Sequence, residues 1–394
     1  MAGRRPGPSR RPGLPRMHGG LRGRLKGAIM KKRARRHRRE EGHGRTDMIF
    51  RTLGKAELPK LFGVMAAGGK IVAPVEAGRD RENRPVYVFR ETARFEEAAL
   101  SYTTTKLPAK RYFLPYREDL ATFRIEGDDW QKLVDYNVDR PRIFFGLHPC
   151  DINALNRLDK VLLNGVYPMP YYVAKRKNMF IVGIDCLPQP YCFCRSMGAD
   201  TALHGFDMFL TDLGDDYFVE ILSDTAYNFL RCVRTSEPGE DDHARYMKAV
   251  SRKNDKFIAH VDTTDLTKIL DMEFQSEVWK QWGDRCLACG TCANVCPTCY
   301  CYGVEETVSV DLGSARKTKT LYSCNLLDFA EVAGGHNFRP ERHVRLKYRY
   351  YHKHRGFVEA YEEPLCVGCG RCGESCLAGI TVPEVIASVR GEGA

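Results

Sequence analysis

Two stretches decide how this chain is read. The first is Cys286-Leu-Ala-Cys289-Gly-Thr-Cys292-Ala-Asn-Val-Cys296-Pro297, and the second is Cys366-Val-Gly-Cys369-Gly-Arg-Cys372-Gly-Glu-Ser-Cys376. Each repeats one spacing, CxxCxxCxxxC. Three thiolates three residues apart let one short loop wrap a corner of an iron–sulfur cube, and the fourth typically ligates the other cluster. The spacing therefore predicts one [4Fe–4S] cluster on Cys286, Cys289, Cys292 and Cys376. It predicts a second on Cys366, Cys369, Cys372 and Cys296. Gly290, Gly368, Gly370 and Gly373 would let backbone N–H groups approach the sulfurs. A pair of zinc ribbons is the competing reading, but ribbons use CxxC pairs and leave the third cysteine of each run unneeded. Leu377, where a proline follows the first run, weakens the match at Cys376 without removing a thiolate.

The same region excludes other chemistry. Gly368-x-Gly370-x-x-Gly373 fits a dinucleotide pattern, but it lies inside the cysteine loop with no strand before it. No other such fingerprint, P-loop, GxSxG elbow or Cys-Cys dipeptide occurs, and no catalytic constellation is recognisable.

Of 16 cysteines in 394 residues, eleven lie between Cys286 and Cys376. No segment approaches the ~18 apolar residues of a membrane span, and the basic N-terminus has no apolar h-region behind it. The expected location is therefore the cytoplasm, with no membrane attachment. In a reducing compartment this cysteine density points to metal or redox chemistry rather than disulfides. The net charge of +11 is unevenly placed. Residues 1–47 hold 16 of the 61 basic and 3 of the 50 acidic groups, a charge of +13, which leaves −2 on residues 48–394. Three readings of 1–47 compete: a start assigned too far upstream of Met48, a disordered basic tail, or a nucleic-acid or membrane arm. The tail has no aromatic residue to stack on bases, which makes nucleic acid the weakest of these.

Between Met48 and about Asp271 the pattern is mixed. Leu58–Ala66 has helical periodicity, while Lys70–Val75 and Pro85–Phe89 read as strands. Arg142–Leu147 is an apolar strand ending in His148-Pro149-Cys150. Asp151 would N-cap a helix carrying Ile152, Leu155, Leu158, Val161 and Leu162 on one face, stopped by Asn164-Gly165. Asn178–Ile184 is a second strand, so the segment reads as a parallel βαβ unit. Phe206–Leu210 and Tyr217–Ile221 suggest a hairpin. Residues 339–357 read as a basic, aromatic linker between the two cysteine runs.

The strand ends carry further thiols. Cys150 and Cys186 should lie side by side, with Cys192 and Cys194 following in the same loop, so a third metal or iron–sulfur site is expected there. The bland alternative is buried cysteines packing as small hydrophobes. Cys299, Cys301 and Cys324 form a looser set of three that could hold a site with an outside ligand, although packing around a cluster is the simpler reading, and Cys232 stands alone. His148, His336, His352 and His354 are read as loop or surface residues.

The segments "HPCDINALNRLD", "CFCRSMGAD", "CPTCYCYG", "AGGHNFRPER" and "LCVGCGRC" cover most of Met48–Gly391 in order. They resemble the two-cluster iron–sulfur subunit of anaerobic sulfite reductase, and equally the β subunit of cytosolic NiFe sulfhydrogenases. The resemblance implies an electron relay between an NAD(P)H-binding, FAD-containing flavoprotein subunit and a terminal reductase or hydrogenase subunit. It also implies an α-helical ferredoxin-type domain, because the two runs stand far apart. The expected class is α+β: a basic tail over 1–47, an α/β domain over 48–271, and a two-cluster ferredoxin-type domain over 272–394. Two other classes remain open, an iron–sulfur enzyme with its own substrate-binding cluster and a redox-sensing binding protein.

Overall fold

The computed structural model describes residues 48–136 and 140–392. The readings made for 1–47 lie outside the described residues.

The strands run in chain order as β1 (Ile49–Gly54), β2 (Lys70–Arg79), β3 (Pro85–Glu91), β4 (Arg117–Glu126), β5 (Asp129–Leu133), β6 (Arg142–Leu147), β7 (Met179–Ile184), β8 (Met208–Asp212), β9 (Asp216–Ile221), β10 (Tyr302–Val308) and β11 (Ser314–Leu321). Seven of them form one sheet in the order β1-β9-β8-β7-β6-β2-β3. Its centre, β2, β6, β7 and β8, is parallel, and both margins are antiparallel. The central strands Ile-Phe-Phe-Gly-Leu and Met-Phe-Ile-Val-Gly-Ile are almost wholly buried, as strands covered on both faces must be. The expected βαβ unit is present, with β6 and β7 parallel and the helix Pro149–Leu162 (α1) between them. The expected hairpin is β8–β9.

The start of α1 differs from the sequence reading. His148 is the N-cap and Pro149 the first helical residue, so Asp151 sits inside the first turn instead of capping it. A residue before proline is driven to extended geometry, and proline suits the first helical position, so the helix begins earlier than an Asp cap would set it. Its stop holds for a steric reason: a Cβ at Gly165 would lie 2.1 Å from the Val161 carbonyl oxygen.

The second sheet, β10-β11-β4-β5, draws two strands from either side of residue 271. Beyond it, the helices Val278–Arg285 (α2), Arg342–Tyr351 (α3) and Val382–Val389 (α4) enclose a separate core of Trp279, Trp282, Leu346, Tyr350, Val385 and Ile386. Residues 339–357 are therefore not a linker. α3 runs on through a π-helical turn, His352–Gly356, into another helical turn, Phe357–Tyr361. The basic residues that suggested a solvated connection are placed four apart, and Arg345, Arg349 and Lys353 are buried on one face.

Candidate iron–sulfur centres

The two cysteine runs have the same backbone. Ala288 and Gly368, at matching places, both take positive φ (52° and 64°), and so do Gly290 and Gly370 (76° and 77°). In each run a single helical turn follows, Thr291–Asn294 and Arg371–Glu374, and the two turns adjoin. The left-handed residues turn N–H groups toward sulfur. The Ala288 N–H donates to Cys286 Sγ at 3.4 Å, and the Gly368 N–H bears in the same way on Cys366. Of the four glycines expected in this role Gly368 takes it, Ala288 fills the matching place at a cost in strain, and the Gly373 N–H donates instead to the Gly370 carbonyl at 3.0 Å.

The runs also cross. Cys296, from the first run, lies with Cys366, Cys369 and Cys372 of the second. Burial pushes the Cys366 thiol up to about 11 and the Cys369 thiol upward, and in both the neighbouring Cys296 and Cys372 sulfurs add to the rise. Cys286 and Cys376 pack against one core together with Cys366 and Cys372. Cys289 is exposed. Cys292 is pushed to about 11 by burial, reinforced by Cys372, Cys324 and Cys286.

Buried cations face these sulfurs. Lys353 Nζ donates to Cys296 Sγ (3.4 Å) and Thr298 Oγ1 (2.8 Å). Burial alone would lower Lys353, but the Cys296, Cys299 and Cys366 sulfurs outweigh it and hold the ammonium charged. Arg349, equally buried, is held up by Cys292 and Cys372, and its Nε has no hydrogen-bond partner. Asn325 Nδ2 donates to Cys292 Sγ at 3.2 Å, and its own carbonyl accepts from Arg345 Nε at 2.9 Å. Lys110, from the first half of the chain, reaches the carbonyl oxygens of Ala293 (3.3 Å) and Cys299 (2.7 Å). An unpartnered buried guanidinium N–H is costly, so its place among thiols suits a large anionic group such as a cluster. Among the described residues no group of three or more His, Cys, Asp or Glu side chains is arranged to hold a single metal ion.

None of these cations was foreseen from the sequence. The signal for them in the sequence is the four-residue spacing of Arg345, Arg349 and Lys353, which also fits the charge of a solvated linker. The looser cysteines also have places: Cys299 neighbours Cys296, and Cys301 neighbours Cys324, which lies beside Cys292. Cys232 is exposed and apart. The histidines depart from the surface reading. His148 and His354 are buried and held at about 3, chiefly by desolvation, and His352 is held at about 4 for the same reason. His336 is exposed as expected.

The comparisons with known proteins agree with this geometry. The 4Fe–4S dicluster domain family matches residues 285–380. Over 345 residues, 87% of this chain and 99% of the relative, the sequence is 38% identical to sulfhydrogenase 2 subunit beta of Pyrococcus furiosus. The chain belongs to the sulfhydrogenase β-subunit family. It is thus an iron–sulfur protein of an electron-transfer, hydrogenase-linked oxidoreductase family, with a 4Fe–4S dicluster domain at its C-terminal end. No solved structure matches it. Among the described residues no helix is long and apolar enough to cross a membrane.

Proposed function

We propose that the chain is the electron-relay subunit of a multi-subunit cytoplasmic oxidoreductase of the hydrogenase type. Its two [4Fe–4S] clusters would be held by Cys286, Cys289, Cys292 and Cys376, and by Cys366, Cys369, Cys372 and Cys296. The observation that carries this reading is the crossing of the runs, with Cys296 grouped among the thiols of the second run. It is supported by the family, whose P. furiosus member is named as a hydrogenase subunit. When bound, each cluster supplies a one-electron acceptor.

The chain's own groups set the conditions for that exchange. Lys353 and Arg349 place buried positive charge beside the sulfurs, which favours the more negative, reduced state. Asn325 and the loop N–H groups act in the same sense. Trp279, Tyr350 and the rest of the helical core exclude water from the inner side of the loops. Cys289 and Leu287, 57% exposed, leave the first loop open at the surface, the side from which an electron partner can approach. The partners expected are an NAD(P)H-oxidising flavoprotein subunit and a terminal hydrogenase subunit; a sulfite reductase would fit the same plan.

The test is anaerobic purification of the full chain from its own cells, followed by reduction with NAD(P)H. The complex should co-purify, and NAD(P)H should reduce the iron–sulfur absorbance only while the flavoprotein is present. Direct reduction of the isolated chain by NAD(P)H, or its own turnover of hydrogen, sulfur or sulfite, would sink the relay assignment.

A further inference from the structure

The two runs leave a second group of thiols without a role. Cys150 and Cys186 stand just beyond the C-terminal ends of β6 and β7, adjacent parallel strands with Leu147 opposite Gly183. The following loop brings Cys192 and Cys194 between them, with the two sulfurs 3.4 Å apart. Cys150, Cys192 and Cys194 form one buried group with Ala154, Ala199, Val367 and Cys369. Cys186 and Cys150 both neighbour Cys192 electrostatically. Four thiols from three chain segments thus meet at one place, the end of the sheet where α/β folds gather ligands.

Cysteines that merely pack do not need what surrounds these. Two cations are buried beside them. Arg371 is 1% exposed and pairs bidentately with Asp151 at 2.9 and 2.7 Å. Lys253, 3% exposed, donates to Asp185 at 2.7 Å and to the Asp200 carbonyl at 2.8 Å. His148, also beside Arg371 and Lys253, has its Nε2 buried with no hydrogen-bond partner. The loop is seated by close approach: a Cβ at Gly368 would lie 2.6 Å from the Phe193 carbonyl oxygen, and the Phe193 N–H donates to the Gly368 oxygen at 2.8 Å. Such positioning of thiols, buried charge and an orphaned ring nitrogen is what a cluster site requires.

We propose that Cys150, Cys186, Cys192 and Cys194 hold a third iron–sulfur cluster, set against the loop that carries Cys369. The donor set is all sulfur, which selects iron–sulfur over carboxylate-preferring metals. Cys186 also lines a cleft of about 660 Å³ with Lys55, Arg245, Lys248, Arg252 and Lys253. The site therefore lies between the second run and a basic opening to solvent. Its role as a further relay stop, one centre losing an electron as its neighbour gains it, rests on the relay reading. Its existence does not.

The experiment is iron and acid-labile sulfide analysis with EPR of the dithionite-reduced, anaerobically purified full chain. The expected content is about 12 Fe per chain. The double variant Cys186→Ser/Cys192→Ser should fall to about 8 Fe and lose one paramagnetic component, keeping those of the two loops. Cys232→Ser, exposed and remote, should change nothing. A wild-type content of about 8 Fe, unaltered by the double variant, overturns the site. Should the double variant misfold, Cys186→Ser alone, on the cleft wall, must still change one EPR component; an unchanged spectrum overturns the site. The relay reading fails separately, if the flavoprotein leaves all clusters oxidised while the iron count stands.

Discussion

The runs 286–296 and 366–376 have the same spacing and the same pair of left-handed residues, yet they occupy opposite environments. The first is open, with Leu287 57% exposed and Cys289 at the surface. The second is enclosed: Val367, Cys369 and Arg371 are all buried, and Gly368 and Gly370 are pressed against residues 189–194. One loop design thus serves two purposes, set by what packs outside it. On the proposed relay reading, the open run is the side for exchange with a partner and the enclosed run the side for passage within the subunit. The largest expected effect tests the enclosure. Arg371→Leu leaves Asp151 charged and buried, which costs about 3–5 kcal/mol. Anaerobic chemical denaturation should register that loss for Arg371→Leu and for Asp151→Leu. A loss below about 1 kcal/mol in both would break the contrast, because the second run would then not depend on the sheet domain.

Next comes the packing of the glycines. Gly370→Ala adds a Cβ 2.5 Å from the Tyr191 carbonyl oxygen at a left-handed position. The strain and the overlap together cost about 2–4 kcal/mol. Gly290→Ala, at the matching place, meets side-chain atoms of Ser323 at 2.9 and 3.2 Å. A side chain yields more readily than backbone, so the loss there should be smaller by about 1–2 kcal/mol. Equal losses, read by thermal unfolding, would mean that the loop's own geometry decides and its surroundings do not.

Much of this was legible in the sequence, and what was not failed for identifiable reasons. The spacing of the cysteines, the βαβ unit from Arg142 to Ile184 and the hairpin after it all follow from local patterns. The cap of α1 lies at His148 and not at Asp151 because the proline at 149 decides the start, whereas Asp151 is held by a partner 220 residues away. The stretch 339–357 reads as a linker in sequence because Arg and Lys are mostly solvated. There the cations are buried, since negative sulfur offsets the cost of desolvation. Long-range charge pairing leaves no local signature. Only the four-residue spacing of Arg345, Arg349 and Lys353 carried a trace of it.

Those cations give a finer test of the two environments. Lys353 touches Cys296, whose place is with the enclosed run, while Arg349 stands between Cys292 and Cys372. Lys353→Met removes a buried charge and a donor from one sulfur, so the reduced state there loses stabilisation. The potential of one cluster should fall by on the order of 60 mV, the one-electron equivalent of about 1.4 kcal/mol. The other should move less. Redox titration followed by EPR separates the two, and equal shifts of both would show that Lys353 acts on the domain as a whole.

The smallest effect is also the most direct comparison of the loops. Ala288 holds the left-handed place that Gly368 holds in the second run, and a side chain there costs about 1 kcal/mol. Gly368 cannot be exchanged for alanine, because its Cβ would meet Phe193 and Cys194 backbone at 2.6–2.7 Å. Ala288→Gly introduces no atom, so it should stabilise the folded chain by up to about 1 kcal/mol, less the extra freedom glycine gives the unfolded chain. Gly368→Ala should destabilise it. A loss at Gly368→Ala well above the gain at Ala288→Gly would locate the difference between the runs in the packing outside them, because backbone strain alone gives comparable effects of opposite sign. A loss of stability from both would instead assign Ala288 a contact that its open surroundings do not supply.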